Sequence, residues 1–412
     1  MNLLINSHIN LYEFELLFKI IMNIIKKTVF IFFLLIMIGC REKSLTENSN
    51  SSFEILVEAS KSEEKDFSEI FSKPIYIQLE TNDKCLLKWI HKVQIYKNKI
   101  YIFNSDDAGK LYCFNMEGKY LFSIGQRGLG PGEYVYLTDF AIDQLNNCIW
   151  LGDDARKILK YDLEGNLIQQ YSTDFSIKNL MPLQDHSNFM AIRLGYYKDH
   201  DYSLIVYSTT DKKIIYHKKA SNQIDKIIAA NTFSTFNNNL LYAGGFNDTI
   251  FSVTKNGLNP YCFINFGKNS VPKAVLEDPN NKSLIYTFLQ SDNKYAGLIS
   301  NIIENDHYLL FRYDFAGNGQ LAIYSKEKKQ VINLNNISLN DKSFDASKYF
   351  FKFYENNMYI SFLSAHLLTE NDNNDDRINY GSYSDMDQLI LNLRESDNPV
   401  LIFDENNFDK MF

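Results

Sequence analysis

Acidic residues recur in short polar turns, and they are the first candidates for chemistry. The turns read SDDAG, GDDAR, GYYKDHD, GGFND and DFAGNG, and each follows an apolar run. Carboxylates gathered on one rim could bind a cation or sugar hydroxyls, whereas Asp in an isolated turn commonly accepts hydrogen bonds from its own backbone. Both interpretations stay open for Asp106, Asp107, Asp153, Asp154, Asp199, Asp201, Asp248 and Asp314.

Arginine is scarce in the chain, since only seven of the 42 basic residues are Arg. A guanidinium can form two parallel hydrogen bonds with a carboxylate or phosphate, which a lysine cannot do. The same side chains could instead pair with nearby aspartates and hold parts of the fold together. We predict no catalytic residue, and a ligand-binding set that consists of Arg127, Glu133, Asp153, Asp154, Arg156, Arg193 and Arg312.

Known catalytic and metal-binding motifs are missing from the sequence. The seven histidines form no HExxH or HxxxH pair, and GxSxG does not occur. The acidic run 372–376 begins like an EF-hand, but Arg377 replaces the required glycine and Tyr383 the required glutamate. We therefore predict no cofactor and no metal site. Four cysteines lie in apolar runs without a CxxC pair and are expected to be small buried residues: Cys85, Cys113, Cys148 and Cys262.

A repeated phrase of strands and turns must position these candidate residues. From about residue 90 onward, the chain repeats an alternating apolar strand, a polar turn, a second strand, a tight turn and a third strand. Six copies are recognisable at intervals of roughly 40 to 70 residues, and an additional apolar run precedes several of them. Six units of four antiparallel strands predict an all-β, six-bladed β-propeller. In such a disc the acidic turns and four of the arginines share one face.

The ends of the chain must meet if this ring is to close. The sixth unit is one strand short, and residues 74–80 (PIYIQLE) form an orphan strand before the first unit. We predict that this segment supplies the outer strand of the last blade and leaves no open sheet edge. Two segments have helical spacing instead: residues 272–303, expected as an insertion between blades four and five, and residues 385–393.

The amino terminus has the pattern of a secretion signal. Residues 28–38 are apolar, Lys26 and Lys27 precede them, and Gly39 and Cys40 follow. Eleven apolar residues are too few to span a bilayer, which needs about 20. The sequence MIGC resembles a bacterial lipobox, in which the cysteine is lipidated. We predict a signal peptide over 1–39, with 1–21 either a mis-start or an extended basic region, a polar tether from lipidated Cys40 to residue 72, and a propeller over 73–412.

The loop at residues 125–134 reads GQRGLGPGEY and carries a family resemblance. It resembles the signature loop of six-bladed β-propeller lipoproteins of Bacteroides-type bacteria, and LETNDKCLL and DNPVLIF resemble the start and finish of that family. The resemblance implies a propeller related to the NHL type and an envelope lipoprotein, and it implies no particular activity. The glycines and Pro131 suit a tight excursion between blades, either as a structural latch or as a ligand contact.

Charge and composition narrow the function classes further. The 412-residue chain has a formal net charge of -8, so nucleic acid is a poor candidate partner. We expect a monomer on the periplasmic side or outer surface of a membrane, whose propeller binds a peptide, glycan or protein partner. The alternative is a propeller enzyme of the metal-dependent lactonase or lyase type. Because no catalytic constellation is found, we favour the binding protein.

Overall fold

The first described elements are three short strands and one helical turn. The computed structural model of the protein describes residues 52–184, 186–195, 201–220, 232–244, 247–272, 294–339, 342–369, 381–383, 385–405 and 408–412. A capping box starts the helical turn, in which the Asp66 side chain accepts from the Ser68 N–H at 2.9 Å and Glu69 reaches back to the Asp66 N–H at 3.1 Å. These elements are β1 (Phe53–Leu56), β2 (Glu63–Asp66), α1 (Phe67–Ile70) and β3 (Ile75–Gln78).

Three antiparallel sheets of four strands follow, and each forms one blade. Blade 1 contains β4 (Ile90–Tyr96), β5 (Lys99–Asn104), β6 (Lys110–Asn115) and β7 (Tyr120–Ile124). A small parallel pair, β8 (Gln126–Arg127) and β9 (Glu133–Tyr134), lies in the connection to blade 2. Blade 2 contains β10 (Leu137–Asp143), β11 (Cys148–Asp153), β12 (Lys157–Asp162) and β13 (Leu167–Ser172). Blade 3 contains β14 (Ile177–Leu183), β15 (His186–Leu194), β16 (Tyr202–Ser208) and β17 (Lys213–Lys219).

Three more sheets complete the ring and carry additional elements. Blade 4 contains β18 (Phe233–Phe236), β19 (Asn239–Tyr242), β20 (Thr249–Thr254) and β21 (Gly257–Asn265), followed by a 3-10 turn at Gly267–Asn269. Blade 5 contains β22 (Ala296–Glu304), β23 (Tyr308–Phe315), β24 (Asn318–Ser325) and β25 (Gln330–Leu339), with β26 (Lys342–Asp345) beside it. Blade 6 and its connections contain α2 (Ala346–Tyr349), β27 (Phe353–Glu355), β28 (Met358–Leu363), α3 (Ala365–Leu368), β29 (Gly381–Tyr383), α4 (Met386–Asn392), β30 (Val400–Asp404) and a 3-10 turn at Phe408–Met411.

The last blade is closed by a strand from the opposite end of the chain. β3 pairs antiparallel with β30, so that Tyr76 lies opposite Ile402. The backbone N–H of Lys73 also donates to the Asp404 carboxylate at 3.0 Å. The six-bladed propeller and its closing strand are therefore confirmed. The closing strand is not outermost as predicted, because β29 pairs along its other edge.

The segment before the closing strand lies against the edges of two blades. β1 pairs in parallel with β21 of blade 4, and β2 pairs in parallel with β25 of blade 5. The expectation of a polar tether through residue 72 therefore does not hold for residues 53–72. The sequence EEKD of β2 has no apolar pattern, but a strand added to a sheet edge is held by main-chain hydrogen bonds that any residue type can make. We call residues 53–66 the amino-terminal belt.

Apolar side chains fill the space between neighbouring blades. Trp150 of blade 2 shares a buried cluster with Leu180 and Ile192 of blade 3. Near the closure, Phe351 contacts the rings of Tyr359 and Phe408 at centroid distances of 5.6 and 5.2 Å. Burying one such side chain contributes roughly 1.5 to 3 kcal/mol. Because each sheet is covered on both faces, the aromatic content of 15% serves the packing between blades.

The remaining predictions about elements have mixed outcomes. Helix α4 confirms the predicted helix, and its Asp385 cap accepts from the Asp387 N–H at 2.8 Å. The expected insertion over 272–303 is wrong at its end, because residues 296–303 belong to strand β22, and 273–293 lie outside the described residues. All four cysteines beyond the tether are free and buried, as predicted. Within the described ranges, no helix is long and apolar enough to cross a membrane.

Candidate functional site

One end of the disc carries the predicted candidate residues. The innermost strand of each blade begins at this end, which we call the upper face, and the second strand of each blade finishes there, because successive strands run in opposite directions. The turns SDDAG, GDDAR and DFAGNG follow second strands, so they belong to the upper face. Residues 196–200 of GYYKDHD and 245–246 of GGFND lie outside the described residues. The GQRGLGPGEY loop precedes the innermost strand of blade 2 and lies on the upper face too.

The GQRGLGPGEY loop is braced by its own side chains and by blade 2. Glu133 accepts from the Gly130 N–H and from Gln126 Nε2, both at 2.7 Å, and these hydrogen bonds lower the pKa of Glu133. The Gly132 N–H donates to Gln170 at 3.0 Å, and the Gly132 carbonyl accepts from the Tyr161 hydroxyl. The carboxylate of Glu133 is thus occupied in holding the loop.

Arg127 and the GDDAR turn are also engaged with the protein itself. Arg127 forms an exposed ion pair with Asp107 at 3.1 Å. Asp153 is fully buried and accepts from the N–H groups of Val135 and Tyr136 at 3.1 and 2.9 Å. The Lys157 ammonium lies 3.4 Å from the same carboxylate. We refer to residues 105–109, 125–134 and 152–156 together as the blade 1–2 loops.

The two other predicted residues of these loops occupy the junction with blade 3. Asp154 forms an ion pair with Lys178 at 3.2 Å and accepts from the Ser176 hydroxyl. Arg156 is half-buried and has a φ of +63°, and its backbone N–H donates to the Asp153 carbonyl at 3.1 Å. This is a turn conformation that side chains with a Cβ seldom adopt. The GDDAR turn therefore connects blade 2 to blade 3.

Arg193 and Arg312, expected in equivalent places, have different surroundings. Arg193 is 0% exposed, and a Cβ at Gly244 would lie only 2.5 Å from its Nη1, so blade 4 packs directly against the guanidinium. Arg312 is partly exposed and forms an ion pair with Asp314 at 2.6 Å. Burial raises the pKa of Asp314, and Arg312 opposes that effect. Only Arg312 of the two reaches solvent.

The other aspartates of the acidic turns are dispersed around the face. Asp106 forms an ion pair with Lys88 at 3.0 Å. Asp201 is exposed, whereas Asp199 lies outside the described residues. Burial raises the pKa of Asp248 to about 7. Across the residues that the structure describes, no group of three or more His, Cys, Asp or Glu side chains is placed to hold a metal ion.

A cavity on the upper face lies where blade 6 meets blade 1. It has a volume of about 580 Å³ and is lined by residues from four separate segments. The segments are 87–91 at the start of β4, 348–352 from the end of α2 to the start of β27, 362–366 around the end of β28, and 397–399 before β30. We call this cavity the blade 6–1 cleft. The first of these segments is far from the others in the sequence, and only the closure of the ring brings them together.

Aromatic side chains form part of the cleft wall. Trp89 is 61% exposed, although most large apolar side chains of the protein are buried. Tyr349 stands on the opposite segment, and its ring contacts Phe362 edge-on at a centroid distance of 6.4 Å. Exposed aromatic rings on a cavity wall are common anchors for ligands, since they offer a large contact area and have few rotatable bonds.

The loop that presents Trp89 is held rigidly by buried amides. The N–H of Trp89 donates to the Asn104 side chain at 2.9 Å, and the N–H of Leu87 donates to the Asn398 side chain at 2.7 Å. The Trp89 carbonyl also accepts from the Ser105 N–H at 3.0 Å. Both asparagines are buried. The tryptophan is therefore exposed on a preorganised backbone.

The cleft is lined by more cationic groups than anionic ones. Lys88, Lys348 and Lys352 belong to it, and among the described residues that line it Asp397 is the single carboxylate. That carboxylate is already engaged by Arg394, whose Nη2 lies 3.0 Å away. A positive cavity in a chain of net charge -8 indicates a local charge pattern unlike that of the whole surface.

Lys352 lines the cleft and also a second cavity, which the innermost strands of the propeller bound. Its ammonium donates to the Ser347 carbonyl at 2.9 Å. Burial and the positive charge of Arg312 lower the pKa of Lys352 to about 8, whereas Asp345 opposes the shift. Burial likewise lowers the pKa of His91. Arg312, one of the predicted residues, therefore affects the charge of a side chain that lines this cavity.

The central channel contains a second set of polar groups. A cavity of about 80 Å³ is bounded by the innermost strands. Lys92 of blade 1 lies 3.0 Å from Asp139 of blade 2, which also accepts from the Leu180 N–H of blade 3 at 3.0 Å. Burial raises the pKa of Glu355 to about 8, and Lys92 opposes that shift. These contacts join neighbouring blades around the axis.

Comparison with known proteins agrees with this architecture. The family described as "Domain of unknown function (DUF4934)" matches residues 51–404, which begin with the amino-terminal belt. No curated protein sequence is significantly similar to the chain. The chain resembles the crystal structure of a "putative exported protein" from Bacteroides fragilis NCTC 9343, with 19% identity, a TM-score of 0.66, and coverage of 86% of this chain and 99% of that chain. This similarity establishes a shared propeller fold.

Two further solved structures are less similar. BamB from Moraxella catarrhalis has 9% identity and a TM-score of 0.38, over 62% of this chain and 66% of that chain. The WD40 repeats of RRP9 have 12% identity and a TM-score of 0.44, over 84% of this chain and 100% of that chain. Neither similarity is close enough to bear on function.

Proposed function

We propose that this chain, a member of the DUF4934 family, is an exported lipoprotein whose propeller binds a ligand in the blade 6–1 cleft. The observation that carries the proposal is the 580 Å³ cavity itself, which combines the exposed Trp89 with Tyr349 and lysines on a rigid wall. Binding sites are typically concave, have aromatic linings and carry a few polar groups that orient the ligand. A peptide, a glycan or a protein partner would suit such a site.

The predicted site residues divide into two roles under this proposal. The positive charge of Arg312 contributes to lowering the pKa of Lys352 and so affects the charge of the cleft. We assign Arg127, Glu133, Asp153, Asp154, Arg156 and Arg193 to holding the upper face together, because most of them contact neighbouring protein groups.

Export and anchoring are the second part of the proposal. The lipobox-like MIGC supports lipidation at Cys40, and the GQRGLGPGEY loop resembles that of propeller lipoproteins related to the NHL type. The Bacteroides fragilis neighbour is described as exported, which is consistent with a location outside the cytoplasm. With the belt beginning at Phe53, the tether between Cys40 and the propeller has 12 residues, 41–52. Fully extended, it would reach roughly 40 Å.

Array binding tests the site. The tether-free propeller is applied to arrays of glycans and of peptides, together with Trp89→Ala and with Tyr136→Ala as the matched control. Tyr136 is 46% exposed between β9 and β10, so its loss removes an exposed aromatic ring outside the cleft. We expect Trp89→Ala to lose the strongest signals and Tyr136→Ala to keep them. Equal signals from all three proteins would refute the cleft as the site.

Detergent partitioning tests the anchor. The full chain, expressed in a Gram-negative host, is compared with Cys40→Ser and with Cys85→Ala, which removes a buried thiol instead. We expect the wild type and Cys85→Ala to enter the detergent phase and Cys40→Ser to stay in the aqueous phase. A Cys40→Ser protein that still partitions fully into detergent would rule out lipidation at this residue.

A further inference from the structure

We infer that the ligand of the blade 6–1 cleft is an acidic saccharide, a sugar chain that carries carboxylate, sulfate or phosphate groups. This inference rests on the proposed function and narrows its ligand class. The cleft joins two features that such a ligand needs together. One is a flat aromatic surface, and the other is the positive charge of Lys348 and Lys352, neither of which forms an ion pair with a described residue.

The charge argument begins with the ion pairs around the cavity. Asp397 is bound by Arg394 through Nε at 3.2 Å and Nη2 at 3.0 Å, so its charge is neutralised inside the wall. Lys88 is paired with Asp106 at the rim. Lys348 is exposed and lies 5.0 Å from the centroid of the Tyr349 ring, and Lys352 donates to a neutral carbonyl. An anionic substituent could therefore contact Lys348 and Lys352 without displacing a carboxylate of the described residues.

The aromatic argument favours a sugar ring over an acidic peptide. Peptides commonly bind by adding a strand to an open sheet edge or by placing a helix in a long apolar groove. The cleft offers neither, because its walls are loops, the four-residue helices α2 and α3, and only the end residues of strands β4 and β28. Trp89 instead presents a rigid flat surface that suits the apolar face of a pyranose ring. Ser364 and His366 supply polar groups for hydroxyls at the rim.

Lys352 should make the binding of an acidic saccharide depend on pH. An anion beside the ammonium favours the protonated lysine, so binding is strongest below the pKa of Lys352, about 8, and weakens as pH rises above it. A neutral saccharide gains nothing from that charge and should bind with little pH dependence. Other titratable and charged groups face the same region, namely Lys88, His91, Arg312, Asp345, Lys348, His366 and Asp397.

The experiment uses matched acidic and neutral sugars. A glycan array with uronate, sulfated, phosphorylated and neutral glycans identifies the acidic glycan that the propeller retains most strongly. Its affinity is then measured by calorimetry against the same glycan after removal of the charge, by carboxyl reduction, desulfation or dephosphorylation. We expect the neutral form to bind at least tenfold more weakly at pH 7. We also expect the affinity for the acidic form to fall severalfold between pH 7 and 9.5.

Variants locate the charge recognition within the cleft. Lys348→Ala and Lys352→Met should each weaken binding of the acidic glycan by about fivefold to tenfold, while Lys255→Ala, in a turn of blade 4, should leave it unchanged. Circular dichroism shows that the variants are folded. Equal affinity for acidic and neutral forms, or an array on which no acidic glycan is retained, overturns the acidic-saccharide inference. Retention of a neutral glycan or peptide that still depends on Trp89 overturns it as well but leaves the proposed function standing.

Discussion

The blade 1–2 loops and the blade 6–1 cleft lie on the same face of one propeller, but they differ in what their side chains contact. In the loops, Glu133 and Asp153 bind backbone N–H groups of their own face. In the cleft, Lys348 and Trp89 are exposed at a cavity wall. A region rich in recognisable motifs can therefore serve to stabilise the fold, whereas a region without a motif can offer the groups that a ligand needs.

The difference follows from how each region is assembled. The blade 1–2 loops come from two consecutive blades, within residues 105–156, and their Asp and Gly residues serve the turns that contain them. The cleft collects four distant segments, and its rigidity comes from Asn104 and Asn398, which hold the backbone from behind. Because these two asparagines hold the loop in place, the side chains that the loop exposes are available to a ligand. Substitutions should therefore mainly change stability in the first region and mainly change binding in the second.

The largest stability effect is expected at Asp153. Replacing it with Ala leaves the N–H groups of Val135 and Tyr136 without their acceptor and Lys157 without its partner. Breaking such a buried pair costs about 3 to 5 kcal/mol of unfolding free energy. Urea denaturation measures the loss, and the Asp107→Ala control, in an exposed ion pair, should lose about 0 to 1 kcal/mol. Similar losses in the two variants would show that the loops are not a buried brace.

A smaller loss of unfolding free energy is expected at Gly132, where the GQRGLGPGEY loop makes a tight turn. Its φ is +75°, and a Cβ there would lie 2.8 Å from Leu167 Cδ2. Gly132→Ala should therefore lower the unfolding free energy by about 2 kcal/mol, without changing glycan affinity. Gly130→Ala is the matched control, since its Cβ would meet only the flexible Glu133 carboxylate at 3.0 Å. Weakened binding in folded Gly132→Ala would make the loop a ligand contact rather than a latch.

The smallest effect on stability is expected at Lys352, where the substitution should raise the unfolding free energy at pH 7 rather than lower it. Between pH 8 and 10.5 the unfolded lysine keeps its proton while the folded one has lost it, because the pKa of Lys352 is lowered to about 8. Stability of the wild type should therefore rise with pH in that window relative to Lys352→Met. At pH 7 the variant should be more stable by about 1 kcal/mol, a modest figure because Lys352 is only half-buried. Parallel pH profiles of the two proteins would contradict a desolvated lysine in the cleft.

The blades could be predicted from the sequence because the patterns that indicate their strands are local. Alternating apolar residues and polar turns predict each strand, and the unpaired PIYIQLE predicts the closure that β3 and β30 make. The amino-terminal belt was missed because parallel addition to an edge needs no apolar pattern, as EEKD of β2 shows. The end of the expected insertion was wrong because residues 296–303, although helically spaced, pair with β23.

The site was harder to predict than the fold. Arginines and aspartates in similar turns look equivalent in sequence, but Arg193 is enclosed by blade 4 while Arg312 reaches solvent. Nothing in the sequence joins Trp89 to Tyr349 or Lys352, because only the closed ring places their segments together. One available signal was Trp89 itself, one of two tryptophans and located in a polar connection before β4.

Fluorescence of Trp89 tests the central claim most directly. Trp89 is 61% exposed and Trp150 is 1% exposed, so Trp150→Phe leaves a single tryptophan that reports on the cleft. During titration with the acidic glycan that the array retains most strongly, we expect a saturable change in Trp89 emission with the dissociation constant found by calorimetry. Trp89→Phe should show no matching change in Trp150 emission. Calorimetric binding to folded Trp150→Phe without any change in Trp89 emission would contradict the placement of the ligand in the blade 6–1 cleft.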